Sequence, residues 1–228
     1  MTSPRKGVCV IVCAGDLEPG FLPEKTKSDF WIAADAGLRA MREAGIEPDV
    51  YIGDGDSLRK APDVTRSIIL PVRKDDTDSV AAVKLGLEAG FSRFCLFGAL
   101  GGSRISHSAA NIQLLSYLLE RGGRGILSDA KAAVALLSAR EETYRIGRWR
   151  GRHPSLSLFA VGGNAVVSIS GALYEGEKIT LEPSFPLGVS NRPESGCEVR
   201  VHEGRVLLIL EPGMFVRRPG TLFRAVGM

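Results

Sequence analysis

Residues 30–57 read FWIAADAGLRAMREAGIEPDVYIGDGDS, and this stretch sets the fold. Phe30–Ala34 and Val50–Ile52 are apolar runs of strand length, and between them Leu38, Met41 and Ala44 recur on one helical face. Strand, helix and strand in succession make a crossover unit, because parallel neighbours need a connection that returns over the sheet. The alternation continues on both sides. Val8–Cys13 comes before it, and Ser67–Leu70, Phe94–Phe97 and Gly125–Leu127 follow as buried strands. Val80, Val83 and Leu87 share a helical face. Ile112, Leu115 and Leu119 share another, widened by Leu114 and Leu118. The reading is an α/β domain over residues 1–140 with a mostly parallel sheet flanked by helices.

The texture then changes. Ala139–Pro154 is polar and basic, with Arg145, Arg148, Arg150 and Arg152 around Trp149. Residues 141–153 read as a linker whose charges are solvated, with contact to phosphates or an acidic partner as the other reading. Beyond it come short strands: Leu156–Val161, Ala165–Ile169, Lys178–Leu181, Glu198–Val201 and Val206–Leu210. Turn residues such as Gly162-Gly163-Asn164 and Glu203-Gly204 separate them. No helical period is evident, so residues 154–228 are expected to form an all-β sandwich domain.

Composition narrows the function classes. Of 228 residues, 44% are apolar and 24% charged, which excludes disorder along most of the chain. A net charge of +3 gives no electrostatic basis for a nucleic-acid surface. Runs such as Val8–Ala14 and Val206–Leu210 are too short to span a bilayer, and the first residues lack the pattern of a secretory signal. Cys9, Cys13, Cys95 and Cys197 are scattered, three of them within apolar strands, as for buried thiols in a reducing compartment. A cytoplasmic protein is expected.

The chemistry-bearing residues are aspartates at the ends of the expected parallel strands. Asp35 follows Phe30–Ala34, Asp54 and Asp56 follow Tyr51-Ile52-Gly53, and Asp75, Asp76 and Asp78 follow the next strand. In an open α/β sheet ligands bind outside the carboxyl ends of the strands. Asp54 and Asp56, two apart in an extended segment, point to one side, and paired carboxylates call for a cation; magnesium is the usual one. Asp35 and Asp78 have a competing role as caps of the helices that follow. A second signal is the glycine-rich segment Gly98-Ala-Leu-Gly101-Gly102-Ser103-Arg104, running through His107 into a helix with Asn111. Such a segment lets backbone amides approach phosphate oxygens, or serves only as a connection. It is neither a Walker A loop nor the dinucleotide fingerprint.

In order, these segments resemble the thiamine pyrophosphokinase (thiamine diphosphokinase) family. The matching stretches are Ala34-Asp35-Ala36-Gly37, Pro48-Asp49, Ile52-Gly53-Asp54-Gly55-Asp56-Ser57, Lys74-Asp75-Asp76-Thr77-Asp78, and Arg104-Ile105-Ser106-His107 with Asn111. Gly171-Ala-Leu-Tyr174 and Ser190-Asn191 look like the family's thiamine-side segments. The resemblance implies a homodimer that transfers pyrophosphate from ATP to the hydroxyl of thiamine and releases AMP. Magnesium would be held by Asp54, Asp56 and Asp78, with Asp75 beside them. Lys74 or Arg104 would neutralise the transferring group. Asp35, Thr77, Gly98, Gly101, Gly102, His107 and Asn111 would line the nucleotide site. Tyr174 would stack on a thiamine ring or pack in the sandwich, and Ser190 and Asn191 would bond the pyrimidine. Thiamine would lie between the α/β domain and the partner's β domain. Four positions depart from the family pattern: Ser106 stands for an Asp, Gly55 for a Phe, and Ala36 and Ser103 for glycines. They leave open another alcohol acceptor, such as a pterin, or a binding protein without turnover.

Overall fold

The computed structural model describes residues 5–18, 20–54, 64, 66–71, 75–139, 143–147, 154–226 and 228. The chain divides into two compact units, one of Met1–Ala130 with Phe215–Gly220 and one of Lys131–Met214 with Thr221–Met228.

The first unit is built on six strands: β1 (Cys9–Val12), β2 (Phe30–Ala34), β3 (Val50–Gly53), β4 (Ser67–Ile69), β5 (Arg93–Phe97) and β6 (Arg124–Ser128). They lie in the order β6-β5-β1-β2-β3-β4, and every pairing among them is parallel. Three helices provide the crossovers: α1 (Gly37–Glu43), α2 (Asp78–Glu88) and α3 (Ile105–Glu120). β1 is buried at every position, as a central strand covered on both faces must be, which is why it reads as a continuous apolar run. Leu38 and Met41 of α1, Ala82 and Val83 of α2, and Leu114, Leu115 and Leu118 of α3 supply the buried stripes. The strands and helices expected from the pattern are all present.

The segment Phe215–Gly220 returns to this unit from far along the chain. Phe215 meets Phe21 edge-on with ring centroids 6.3 Å apart, and the Arg217 guanidinium pairs with Glu24 at 2.9 Å. The Cys95 thiol points at the Pro219 carbonyl oxygen at 3.7 Å.

The second unit contains two antiparallel sheets of four strands. One joins β7 (Ala133–Ser138), β9 (Ser155–Ala160), β12 (Gly188–Asn191) and β14 (Arg205–Glu211) in the order β12-β9-β14-β7. The other joins β8 (Thr143–Arg145), β10 (Ala165–Ala172), β11 (Gly176–Leu181) and β13 (Pro193–Glu203) in the order β11-β10-β13-β8. Alternate residues are buried, for example Val199 and Val201 of β13 and Val206, Leu208 and Leu210 of β14. β13 and β14 therefore each present one apolar face, whereas β7 is buried at all six positions. A short helix, α4 (Gly220–Ala225), follows.

Four features differ from the expectation. The division falls at Ala130, not near 140, because Ala133–Ser138 is a strand of the second unit. The span read as a linker contains β8, which pairs with β13 through Tyr144 and Val199. The second unit is not all-β, since α4 ends it. The edge strand β12 also escaped the pattern. Of the basic stretch, Arg145 pairs with Glu198 at 2.6 Å, whereas Arg148, Trp149, Arg150 and Arg152 lie outside the described residues. Among the described residues no helix is long and apolar enough to cross a membrane.

Tyr144 holds β7 and β8 together. Its hydroxyl accepts from the Ser138 amide at 2.9 Å and donates to the Ser138 carbonyl at 2.8 Å, all of it buried. Tyr144→Phe would leave both backbone groups without their partner, and the cost of an unmet buried pair is about 2–3 kcal/mol. Urea unfolding should show a loss of that size. A loss below about 0.5 kcal/mol would mean that water replaces the hydroxyl.

Candidate active site

The first unit has one place where its topology opens a crevice. β1 connects to β2 on one side, and β5, its neighbour on the other side, connects onward to β6. Successive connections thus leave in opposite directions from adjacent strands, and a gap forms between the carboxyl ends of β1 and β5. Two loops close the base of that gap. The Cys13 amide donates to the Phe97 carbonyl at 2.8 Å, and the Gly15 amide to the Gly98 carbonyl at 2.8 Å. Only glycine fits there: a Cβ at Gly15 would lie 2.4 Å from the Gly98 carbonyl oxygen. Gly98 itself has φ +60, and a Cβ on it would lie 2.8 Å from the Cys13 carbonyl oxygen. Above the loops is a cavity of about 320 Å³.

One wall of the cavity is acidic. Asp35 enters from the end of β2, Asp54 from the end of β3, and Asp75, Asp76 and Asp78 from the start of α2. Neither aspartate suspected of capping is a cap. The N-cap of α2 is Thr77, whose hydroxyl accepts from the Val80 amide at 3.3 Å, and the N-cap of α1 is Ala36, without a side-chain bond. Asp35 has φ +51, a conformation that costs a non-glycine residue about 1–2 kcal/mol and tends to persist at functional positions. Two acids are otherwise engaged. Asp76 binds the Lys84 ammonium at 2.6 Å, and that bond raises the lysine pKa. Asp49, of the Pro48-Asp49 motif, accepts from the Trp31 amide and from Lys25, each at 2.8 Å, and so fixes the start of β2. Gly55, Asp56 and Lys74 lie outside the described residues. Among the described residues no three His, Cys, Asp or Glu side chains form a group that could hold a metal ion.

The opposite wall favours anions. Gly98, Gly101, Gly102, Ser103 and Arg104 lead into α3, with His107 and Asn111 on its first turns, and all line the cavity. The first turn of α3 has no acidic residue, and its N-cap Arg104 makes no side-chain capping bond. A sixteen-residue helix thus presents its amide dipoles beside a guanidinium. The loop is tied down by Asn111 Nδ2, which donates to the Ala99 carbonyl at 2.8 Å, and by Ser108, which donates to the Gly101 carbonyl at 3.2 Å. At the base, burial and the nearby Asp78 push the Cys13 thiol up to about 12, so at neutral pH it is an uncharged wall and no nucleophile.

Every described residue assigned from sequence to the metal and nucleotide sites therefore lines one cavity. The sequence reading missed Ala14 and Gly15, Asp16 next to them though outside the lining, and Ser79. The first three follow β1, where the carboxyl-end rule applied to the acids would have found them. Asp16 accepts from the Gly102 amide at 3.2 Å and so belongs to the same loop pair. In the second unit, Tyr174 is 67% exposed, so it does not pack in the core. The Asn191 amide bonds to the backbone beside it: Oδ1 accepts from the Tyr174 amide at 3.0 Å, and Nδ2 donates to the Tyr174 carbonyl at 2.7 Å. Ser190 has φ +61, and its amide donates to the Ser157 hydroxyl at 3.1 Å.

Residues 23–125 match the family model described as thiamin pyrophosphokinase, catalytic domain. Among solved structures, thiamine pyrophosphokinase from Bacillus subtilis superposes with a TM-score of 0.78 at 22% identity, covering 91% of this chain and 100% of that one. The protein from Geobacillus thermodenitrificans gives 0.74 at 24%, covering 90% and 97%. Yeast thiamin pyrophosphokinase gives 0.67 at 14%, covering 90% and 86%. No curated protein matches the chain in sequence. The resemblance to the thiamin pyrophosphokinase family is thus shown, by the family model over the catalytic domain and by fold over nine-tenths of the chain.

Gly98→Ala tests the loop closure. It combines left-handed strain with a backbone collision, whereas Gly122→Ala, at φ +75 with nothing within 4 Å, carries the strain alone. In urea unfolding Gly122→Ala should cost about 1 kcal/mol and Gly98→Ala at least about twice that. Equal costs would show that the loops separate without penalty.

Proposed function

We propose that the chain is a thiamine pyrophosphokinase, which transfers the terminal pyrophosphoryl group of ATP to the hydroxyl of thiamine and releases AMP. The observation that carries this reading is the polarity of the cavity. It sets carboxylates from β2, β3 and α2 against a glycine loop, a helix N-terminus and Arg104. That lining suits a polyphosphate, whose oxygens the α3 N-terminus and Arg104 would attract and whose cation the carboxylates would hold.

The donor set fits magnesium, a hard ion often held by one or two carboxylates and completed by substrate phosphates. Asp54 and Asp78 would hold it with Asp56, and Asp75 stands near; when bound, the ion neutralises charge on the phosphate oxygens. The chain's own residues supply the rest. The amides of the first α3 turn would orient the phosphates and the Gly98–Gly102 loop, whose Gly102 amide is held by Asp16, would give them room; Arg104 balances charge on the group in transfer, with Lys74 in the same role. His107 and Asn111 border the nucleotide, and Asp35 closes its acidic side. The thiamine hydroxyl oxygen attacks the β-phosphorus, and the bond from that phosphorus to the α–β bridging oxygen breaks. AMP leaves, and a cavity carboxylate takes the hydroxyl proton.

Tyr174 offers an exposed ring to stack on thiamine, and Asn191 fixes the Tyr174 backbone while keeping its second Nδ2 proton for a pyrimidine. Ser190 keeps its hydrogen-bonding role in this reading. Leu173, Phe185, Leu187 and Val189 are exposed apolar residues in the same part of the sequence, and they support assembly as a homodimer. Four free, buried cysteines support a reducing, cytoplasmic setting.

Purified protein with ATP, magnesium and thiamine should release AMP and form thiamine diphosphate, with no AMP when thiamine is omitted. Asp54→Asn should lower turnover on the order of 100-fold without changing the unfolding midpoint. AMP release with a pterin alcohol but not with thiamine would change the acceptor, and thiamine binding without AMP would make the chain a binding protein. Ser106→Asp places an acid on the first turn of α3, as in the family pattern, and should lower the magnesium concentration needed for half-maximal rate. An unchanged requirement would show that Asp54, Asp78 and their neighbours suffice.

A further inference from the structure

We propose that Ser79 is a positioning residue of this site: a hydrogen-bond relay running one way, from Thr77 through Ser79 and Asn111 to the Ala99 carbonyl, locks the acidic start of α2 to the glycine loop after β5.

The direction of the relay follows from what each group can donate. Asn111 Nδ2 lies 2.8 Å from the Ala99 carbonyl oxygen, which only accepts, so the amide is oriented with Oδ1 on its other side. Oδ1 lies 2.7 Å from Ser79 Oγ, and it too only accepts, so Ser79 gives it the proton. Ser79 has one proton, so at the 3.1 Å contact with Thr77 Oγ1 it must accept, and Thr77 donates. Thr77 in turn accepts from the Val80 amide at 3.3 Å as the cap of α2. Both hydroxyl protons and the Nδ2 proton that faces Ala99 are committed, and the relay cannot reverse unless Asn111 lets go of the loop.

Two consequences follow. The helix bearing Asp78 and the loop bearing Gly98, Gly101 and Gly102 are held in one register, although they are far apart in sequence. Thr77 also has no proton left for a phosphate oxygen. Toward the cavity it can only accept, which suits a cation or an N–H group and removes it as a phosphate donor. The relay stands on geometry alone; only its effect on ATP rests on the function proposed above.

Two measurements on Ser79→Ala and Ser79→Thr separate these claims. In the protein without ligand, the NMR signals of the Asn111 side-chain amide should move in Ser79→Ala and stay in place in Ser79→Thr, which keeps the hydroxyl. In the assay, Ser79→Ala should raise KM for ATP about tenfold, the scale of one lost hydrogen bond, with KM for thiamine unchanged and Ser79→Thr near wild type. Asn111 signals that do not respond to Ser79→Ala would overturn the relay whatever the kinetics. So would a Ser79→Thr variant as impaired as Ser79→Ala, or an equal rise in both KM values. Wild-type protein that binds no ATP in calorimetry would overturn the proposed function instead, and the Asn111 signals would still decide the relay.

Discussion

The rest of the site depends on the contact of two backbones without side chains between them. Gly15 and Gly98 bring the loops after β1 and β5 close enough for direct amide-to-carbonyl bonding, at the point where the sheet's connections diverge. A single methyl group at either position would force the loops apart. Because they meet, the acids after β2 and β3 and at the start of α2 line one cavity with the first turns of α3, and Ser79 touches Asn111 at 2.7 Å where the two helices approach. Parallel strands put the ends on one side; the paired glycines keep the crevice narrow there.

The cavity then shows how one sheet edge can carry opposite electrostatics. Both α2 and α3 direct their N-termini at it, and each would attract an anion. On α2 the sequence answers with Asp75, Asp76 and Asp78, so its dipole is met by the protein's own carboxylates. On α3 no acid stands in the first turn, and Ser106 leaves that dipole for a ligand. Ser106, where the family pattern has an acid, therefore lowers the negative charge at the first turn of α3.

Much of this was legible in the sequence. The central parallel strands and the helices of the first unit show as full apolar runs and 3.6-residue periods because those strands are buried, whereas β4, expected to be buried, is an exposed edge. The cavity residues followed from one rule about strand ends and from motif order. What escaped did so for physical reasons. Ala133–Ser138 is rich in alanine, which signals no strand. Thr143–Arg145 is three residues long within a basic stretch, and Gly188–Asn191 is a polar edge strand. Gly220–Ala225 is too short for a period. The roles of Thr77 and Ser79 lie in which hydroxyl gives its proton to which oxygen, a relation between residues 32 apart that no local pattern encodes.

The return of Phe215–Gly220 bears on how the molecule is made. The first unit ends its continuous sequence at Ala130, yet Phe21 and Cys95 meet partners that arrive only with residues 215–219. On the ribosome, the first unit is completed only after residues 131–214 have been made. Until then the face around Phe21 is uncovered, and the nascent chain must stay soluble through the synthesis of the whole second unit. A copy cut short after Ala130 would contain every described residue of the cavity and still lack the segment that packs on Phe21 and Cys95.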